Sequence, residues 1–199
     1  MATNVSMASE AAIREAVRNV IQNAHMDKIV GNPTHVTLST LRKQAAKIVC
    51  TIPTSKWGGT TGHLALVLHQ DEFRLATGNV NANANRIPAV PLVPDGLANN
   101  TTLLNRTRIT ATHHQLQNEK WTQEAVGHFM VERIVNEHVD STYVEELDKD
   151  YVGFNNETIK TVIKHIKDEW CVITTMDKTK AVEAFKEKWD GVCNITKFA

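Results

Sequence analysis

All five prolines of this chain, Pro33, Pro53, Pro88, Pro91 and Pro94, lie before residue 95. A proline ring removes an amide donor and collides with the preceding turn, so it breaks helix interiors. Everything after Pro94 is therefore free to run as helix, and the stretch around Pro88–Pro94 is not. Hydrophobic spacing fills in this outline. Ile13, Ala16, Val17, Val20, Ile21 and Ala24 recur at helical intervals, which predicts a helix over 9–24. Ser9 stands where an N-cap belongs, with Ala12 rather than Glu three residues on, so no capping box is expected. Gly31-Asn32-Pro33 stops anything that runs on. Leu38, Leu41, Ala45, Ile48, Val49 and Ile52 form a second stripe, with Ser39 or Thr40 as its cap and Pro53 as its end.

Residues 53–100 read differently. Trp57-Gly58-Gly59-Thr60-Thr61-Gly62 is a glycine-rich turn, and Gly62 to Leu68 is a short apolar run that fits a buried strand or the start of a buried helix. His69 to Leu75 predicts one or two helical turns closing near Gly78. Asn79 to Asn100, rich in Asn, Ala and Pro, reads as a long exposed loop, extended around its prolines. From residue 101 helices follow one another. The first, 101–120, is anchored by Leu103, Leu104 and Leu116. The second, 121–139, carries Val126, Phe129, Met130 and Ile134 and can continue the first across Gly127. A short helix over 141–148 turns Val144 and Leu147 inward. Asn155-Asn156 caps a stripe of Ile159, Val162, Ile163, Ile166 and Trp170, with Lys164 and Asp168 paired on its outer side. A last helix, 175–189, has Ala181, Phe185 and Trp189 on its apolar edge. The expected fold is thus mainly α: a multi-helix bundle with a short extended segment and a long Pro/Asn-rich loop in its N-terminal half. It divides into an N-terminal helical pair (1–52), an irregular Gly/Pro/Asn-rich segment (53–100) and a helical region (101–199).

Charge narrows the function classes. The chain carries 22 Lys and Arg against 22 Asp and Glu, and 42% of its residues are hydrophobic, which excludes a wholly disordered chain. Residues 1–100 hold 9 basic and 6 acidic side chains, residues 101–199 hold 13 and 16, and no Lys/Arg run occurs. Such a balance argues against a stand-alone nucleic-acid binder. No apolar run approaches a membrane span of roughly 20 residues, and the N-terminus lacks a secretory pattern, so a cytoplasmic protein is expected. Cys50, Cys171 and Cys193 include no C-x-x-C pair and read as reduced thiols, Cys50 as a packing residue. The Asn-x-Thr sequons at Asn105 and Asn194 then read as chance matches.

Chemistry-bearing patterns are sparse. His113 and His114 are adjacent, so a helix turns them to different sides, and no His-Glu-x-x-His occurs. Lys56 to Gly62 lacks the Gly-Lys-Ser/Thr ending of a phosphate loop, and no Gly-x-Ser-x-Gly is present. Glu145, Glu146, Asp148 and Asp150 read as a solvated acidic face. No catalytic, cofactor-binding or metal-ligating residue is therefore assigned. The alternative enzyme reading is a small intracellular helical enzyme, metal-dependent in its simplest form, using His113 or His128 with Glu124 or Glu132.

Two stretches carry a family resemblance. The first is Gly62-His63-Leu64-Ala65-Leu66-Val67-Leu68, then Phe73 and a Pro-rich loop. The second is Tyr143-x-x-x-Leu147, Tyr151-Val152-Gly153-Phe154, Thr158, Val162, His165-Ile166, Trp170, Ile173-Thr174 and Trp189-Asp190. In order and spacing this resembles the N-terminal part of Gag-like capsid proteins of copia-type LTR retrotransposons, of the algal and protist type, over roughly residues 35–195. Cys171-Val172 stand where the family usually has Gly, and Val162-Ile163 where it has Leu-Leu. The resemblance implies a non-enzymatic, self-associating structural protein that serves particle assembly and packaging of the element's RNA. It implies no cofactor, membrane or small-molecule substrate. Its partner is a second copy of itself, with RNA engaged indirectly or through a region C-terminal to this chain, which reads as a leading segment. Trp170, Phe185, Trp189, Ile195 and Phe198 are the candidate assembly or packing surface. A host adaptor derived from a Gag-like domain is the remaining reading.

Overall fold

The structure, a computed structural model, describes residues 9–54, 61–84 and 103–171, together with Lys178, Thr179, Val182 and Glu183. It is mainly helical, in keeping with the patterning. The helices are α1 (Glu10–Asn23), α2 (His35–Thr51), α3 (Gln70–Thr77), α4 (Leu103–Arg133) and α5 (Ile159–His165). Both α4 and α5 widen into a π-type turn at their C-terminal ends, Ile134–His138 and Ile166–Trp170. Short 3-10 turns at Leu64–Leu66, Ser141–Tyr143 and Glu145–Leu147 make the connections. None of the described helices is long and apolar enough to cross a membrane.

One apolar core runs through α1, α2, α4 and α5. Val17 and Ile21 of α1, Leu41 and Val49 of α2, Val126 and Met130 of α4, and Ile159, Val162 and Ile166 of α5 are all buried in it. The stripes read from the sequence supply these faces, except that Ala16 and Val20 of the first stripe are exposed. Phe73, Ala65 and Ala82 form a smaller cluster beneath α3.

Several boundaries differ from the sequence reading, each because a closer hydrogen-bonding solution exists. Helix α2 is capped by Thr34, not by Ser39 or Thr40. The Thr34 hydroxyl accepts from the Thr37 amide at 3.1 Å, and the Thr37 hydroxyl accepts from the Thr34 amide at 2.9 Å. Thr158 and Thr161 repeat this reciprocal arrangement at α5, at 3.1 and 2.7 Å, and displace the expected Asn155-Asn156 cap. Two threonines three residues apart thus do the work of the usual Ser/Thr and Glu. The apolar run after Gly62 becomes a 3-10 turn, and 141–148 two such turns rather than one helix. Residues 79–84 begin the expected loop, with Asn79, Val80, Asn81 and Asn83 exposed, but Ala82 is buried: the Gln70 side-chain amide donates to the Ala82 carbonyl and accepts from the Ala84 amide at 2.8 Å. Residues 85–100 lie outside the described residues, as does most of the expected last helix.

Arg133 locks α1 to α4. Helix α1 has no basic residue in its last turn, where unpaired carbonyls and the negative end of the helix dipole gather. The Arg133 guanidinium, only 8% exposed, donates to the carbonyls of Ile21 and Ala24, and its Nε lies 3.3 Å from a Glu137 carboxylate oxygen. Nearer the N-terminus of α1, the Arg18 guanidinium sits 4.7 Å from the centre of the Phe129 ring. The connection after α1 is held at both sides. The Ile29 amide donates to the His138 carbonyl at 2.8 Å, and Asp27 exchanges two hydrogen bonds with the Gln44 side chain, at 2.9 and 2.6 Å.

Gly62 fixes the end of α2. Its φ is +49°, and a Cβ there would lie 2.3 Å from the Cys50 carbonyl oxygen. The next amide, that of His63, donates to the Val49 carbonyl at 2.9 Å. Gly78 also has positive φ, at the C-cap of α3, but nothing lies within 4 Å of its Cβ position.

Two stability predictions follow from these contacts. Arg133→Met, which leaves the α1 carbonyls unpaired, lowers the unfolding free energy by roughly 2–3 kcal/mol in urea titration. Arg133→Lys recovers less than half of that, because one ammonium cannot span both carbonyls and Glu137. Gly62→Ala costs roughly 3 kcal/mol, since it adds a backbone collision to left-handed strain. Gly78→Ala costs about 1 kcal/mol, because only the strain applies.

Candidate functional site

Of the proposed assembly residues, Phe185, Trp189, Ile195 and Phe198 lie outside the described residues. Trp170 is half-buried at the end of the π-type turn that extends α5. Its ring meets Tyr143 edge to face, with centroids 5.4 Å apart, and the Tyr143 hydroxyl donates to Asn32 at 3.1 Å. The indole N–H is buried and has no acceptor among the described residues. Trp170 thus anchors α5 to the 141–147 turns rather than standing free. Tyr151, between the 141–147 turns and α5 in the chain, is fully exposed and is the single non-glycine residue with positive φ (71°) among those described.

The histidines do not converge. His113 and His114 lie edge to face with centroids 5.7 Å apart on α4, and His138 is buried at the junction with the α1–α2 connection. Burial, followed by the charge of Arg133, pushes the His138 pKa down. Among the described residues no group of three or more His, Cys, Asp or Glu side chains comes together as a metal site would require. Glu124 and His128 do line one cleft of about 480 Å³ between α1, α4 and residues 154–159. Each is exposed and has its partner one turn away on α4: Glu124 with Lys120 at 3.7 Å, His128 with Glu132 at 3.9 Å. Glu145, Glu146, Asp148 and Asp150 are all exposed, as a solvated acidic face requires. Cys50, expected to pack, is exposed: the core stripe of α2 passes through Ile48 and Val49, and Cys50 falls on the opposite side.

A second cleft, of about 450 Å³, was not legible as a site in the sequence. Its walls are the first turns of α2, the start of α3 and the length of α5 with its π-type turn. Lys160, Lys164 and Lys167 project from α5 at i, i+4 and i+7, beside the apolar stripe. Arg42 comes from α2, and its guanidinium grips the Glu72 carboxylate in a two-pronged pair, Nη1 to Oε1 at 2.9 Å. Glu72 also accepts from the His69 amide at 3.0 Å, so one carboxylate caps α3 and ties it to α2. Lys164 pairs with Asp168 at 2.9 Å. The signal for this cleft lies in the sequence, as three lysines at helical spacing. It is masked there because Arg42 and His69 join them only in space.

Charges in the cleft shift one another. The Arg42 guanidinium holds the Glu72 carboxyl below its usual range, and Asp168 raises the Lys164 ammonium while being lowered in turn. Burial pushes the Lys160 ammonium down, and the nearby Arg42 charge adds to that.

Comparison with protein-family models, with curated proteins and with solved structures found no match to the chain.

The Arg42–Glu72 pair generates a pH prediction. Because the folded-state Glu72 pKa is depressed, its contribution is fully present above the unfolded carboxyl value of about 4.3 and is lost as pH falls through the lower folded value. Arg42→Gln therefore destabilises at pH 7 by at most about 1 kcal/mol, since the carboxylate is half-exposed and screened. The difference between variant and wild type shrinks toward zero in thermal melts as the buffer is taken down to about pH 3.

Proposed function

We propose that this chain is a Gag-like, self-associating structural protein of a copia-type LTR retrotransposon, acting in particle assembly in the cytoplasm rather than in catalysis. On this reading it serves packaging of the element's RNA, and the RNA is gathered by a region other than the one described here. The observation that carries the reading is the ordered motif from Tyr143 to Trp170, because Tyr143, Gly153, Thr158, Val162, Ile166 and Trp170 each have a task in one local unit. Tyr143 and Trp170 close the unit by ring contact. Between them Gly153 pairs with Lys149 in a tight antiparallel bridge, with the Gly153 amide donating at 2.8 Å. Thr158 caps α5, and Val162 and Ile166 enter the core. Order, spacing and structural task agree in this segment, as they do where a sequence specifies one local unit.

Self-association is supported by the surface. The chain has no net charge to keep copies apart, and Tyr151 is held out into water on a strained backbone. A strained, fully exposed aromatic is a natural contact for a neighbouring copy.

Sedimentation and negative-stain microscopy of the purified chain test this reading. The expected result is an average mass that rises with concentration, with particles at the upper end. Tyr151→Gly relieves the left-handed strain, so it leaves the melting temperature unchanged or slightly raised while moving the distribution toward monomer. A strict monomer at high concentration, without particles, argues against assembly by this chain.

A further inference from the structure

We infer that the cleft between α2, α3 and α5 is a binding site for a small organic phosphate. Arg42, Lys160, Lys164 and Lys167 face two carboxylates, Glu72 and Asp168. Both carboxylates are committed, Glu72 to Arg42 and Asp168 to Lys164. Lys160 and Lys167 have no carboxylate within salt-bridge distance among the described residues. A chain with zero formal net charge thus concentrates an excess of two cations in one concavity.

Burial sharpens the point. Lys160 is half-buried beside Arg42, and the loss of water around its ammonium is offset only in part, by a Glu72 carboxylate beyond salt-bridge distance that Arg42 already holds, so no fixed partner reaches it among the described residues. A bound anion supplies that partner. His35 and His69 sit on the same walls and add imidazole donors. Several cations converging on one volume match a phosphate, with three terminal oxygens and up to two charges, better than a single carboxylate.

The cleft also has an apolar side. Leu38, Val67 and Ile163 line it, and its volume of about 450 Å³ exceeds what a bare phosphate fills. That volume lies within the roughly 300–1,000 Å³ of small-molecule sites, so the phosphate is carried on a ring or chain that rests on these three side chains. An RNA strand needs a basic track that follows its backbone over several nucleotides. The basic side chains of α2 and α5 instead line one concavity. The inference is independent of the assembly reading: a chain that stays monomeric yet binds a phosphate ester loses the first and keeps the second.

The probe is adenosine 5′-monophosphate, with adenosine and inorganic phosphate as comparisons, titrated into the full ¹⁵N-labelled chain at fixed ionic strength. The expected result is binding of the monophosphate at least about tenfold tighter than adenosine, with amide shifts centred on His35, His69 and Lys160. Lys160→Gln weakens it about tenfold, and the exposed Lys167→Gln, which leaves the core untouched, about threefold. Asp168→Asn, by releasing Lys164, tightens it about threefold, and Lys28→Gln, outside the cleft, has no effect. Equal affinity for adenosine overturns the inference. So does retained affinity in both Lys160→Gln and Lys167→Gln. A ten-nucleotide RNA that binds the same amides more tightly than the monophosphate overturns it as well, and makes the cleft part of a polymer track.

Discussion

A buried guanidinium holds the bundle together. Arg133 is the point where the C-terminal end of α1, the end of α4 and the connection toward α2 meet. Helix α1 ends without a cation of its own, so its last carbonyls need donors from elsewhere. Arg133 supplies two from the facing helix, and its own charge is satisfied in doing so. The arrangement is mutual: without the carbonyls the guanidinium has no reason to be buried, and without the guanidinium the carbonyls have no place in the interior. The adjoining residues follow from this. Glu137 flanks the charge, His138 offers its carbonyl to Ile29, and Met26 and Ile29 then enter the core.

The other half of the molecule hangs from α2. Gly62 brings the returning chain against the Cys50 carbonyl, and this sets where the Leu64–Leu66 turn and α3 begin. Arg42 then reaches Glu72, and α5 lies across the opening with its lysine edge turned toward them. The basic cleft is therefore a product of two separate packing events, one at each end of α2. A protein that balances its charges over the whole chain can still separate them locally, because side chains on one helix edge share a neighbourhood that sequence totals average away.

Much of the core was legible because burial leaves a period of 3.6 in the sequence. The stripes Val17/Ile21, Leu41/Val49 and Ile159/Val162/Ile166 needed only counting, and the proline distribution correctly left room for α4 to run unbroken through Gly127. Cap positions were harder. Several Ser, Thr and Asn residues stand near each helix start, and the chosen one is the residue whose hydroxyl can trade hydrogen bonds three positions on, as Thr34 and Thr158 do. Cys50 adjoins the buried Val49 yet turns outward, a difference of one residue that a stripe of mixed spacing does not resolve. Trp170 ends the apolar stripe of α5, but its partner Tyr143 lies 27 positions earlier in the chain, a pairing that helical spacing does not show.

The mainly helical character of the chain, the apolar faces of its helices and its balanced total charge are all written in the linear order of residues. These are properties of neighbours along the chain, and local periodicity records them. That Arg133 closes α1, that Gly62 meets the end of α2, and that Arg42 and His69 join the lysines of α5 around one cleft follows from the packing of the helices alone. Those pairings connect residues separated by long stretches of chain. Each depends on how the helices cross, which a one-dimensional pattern does not encode.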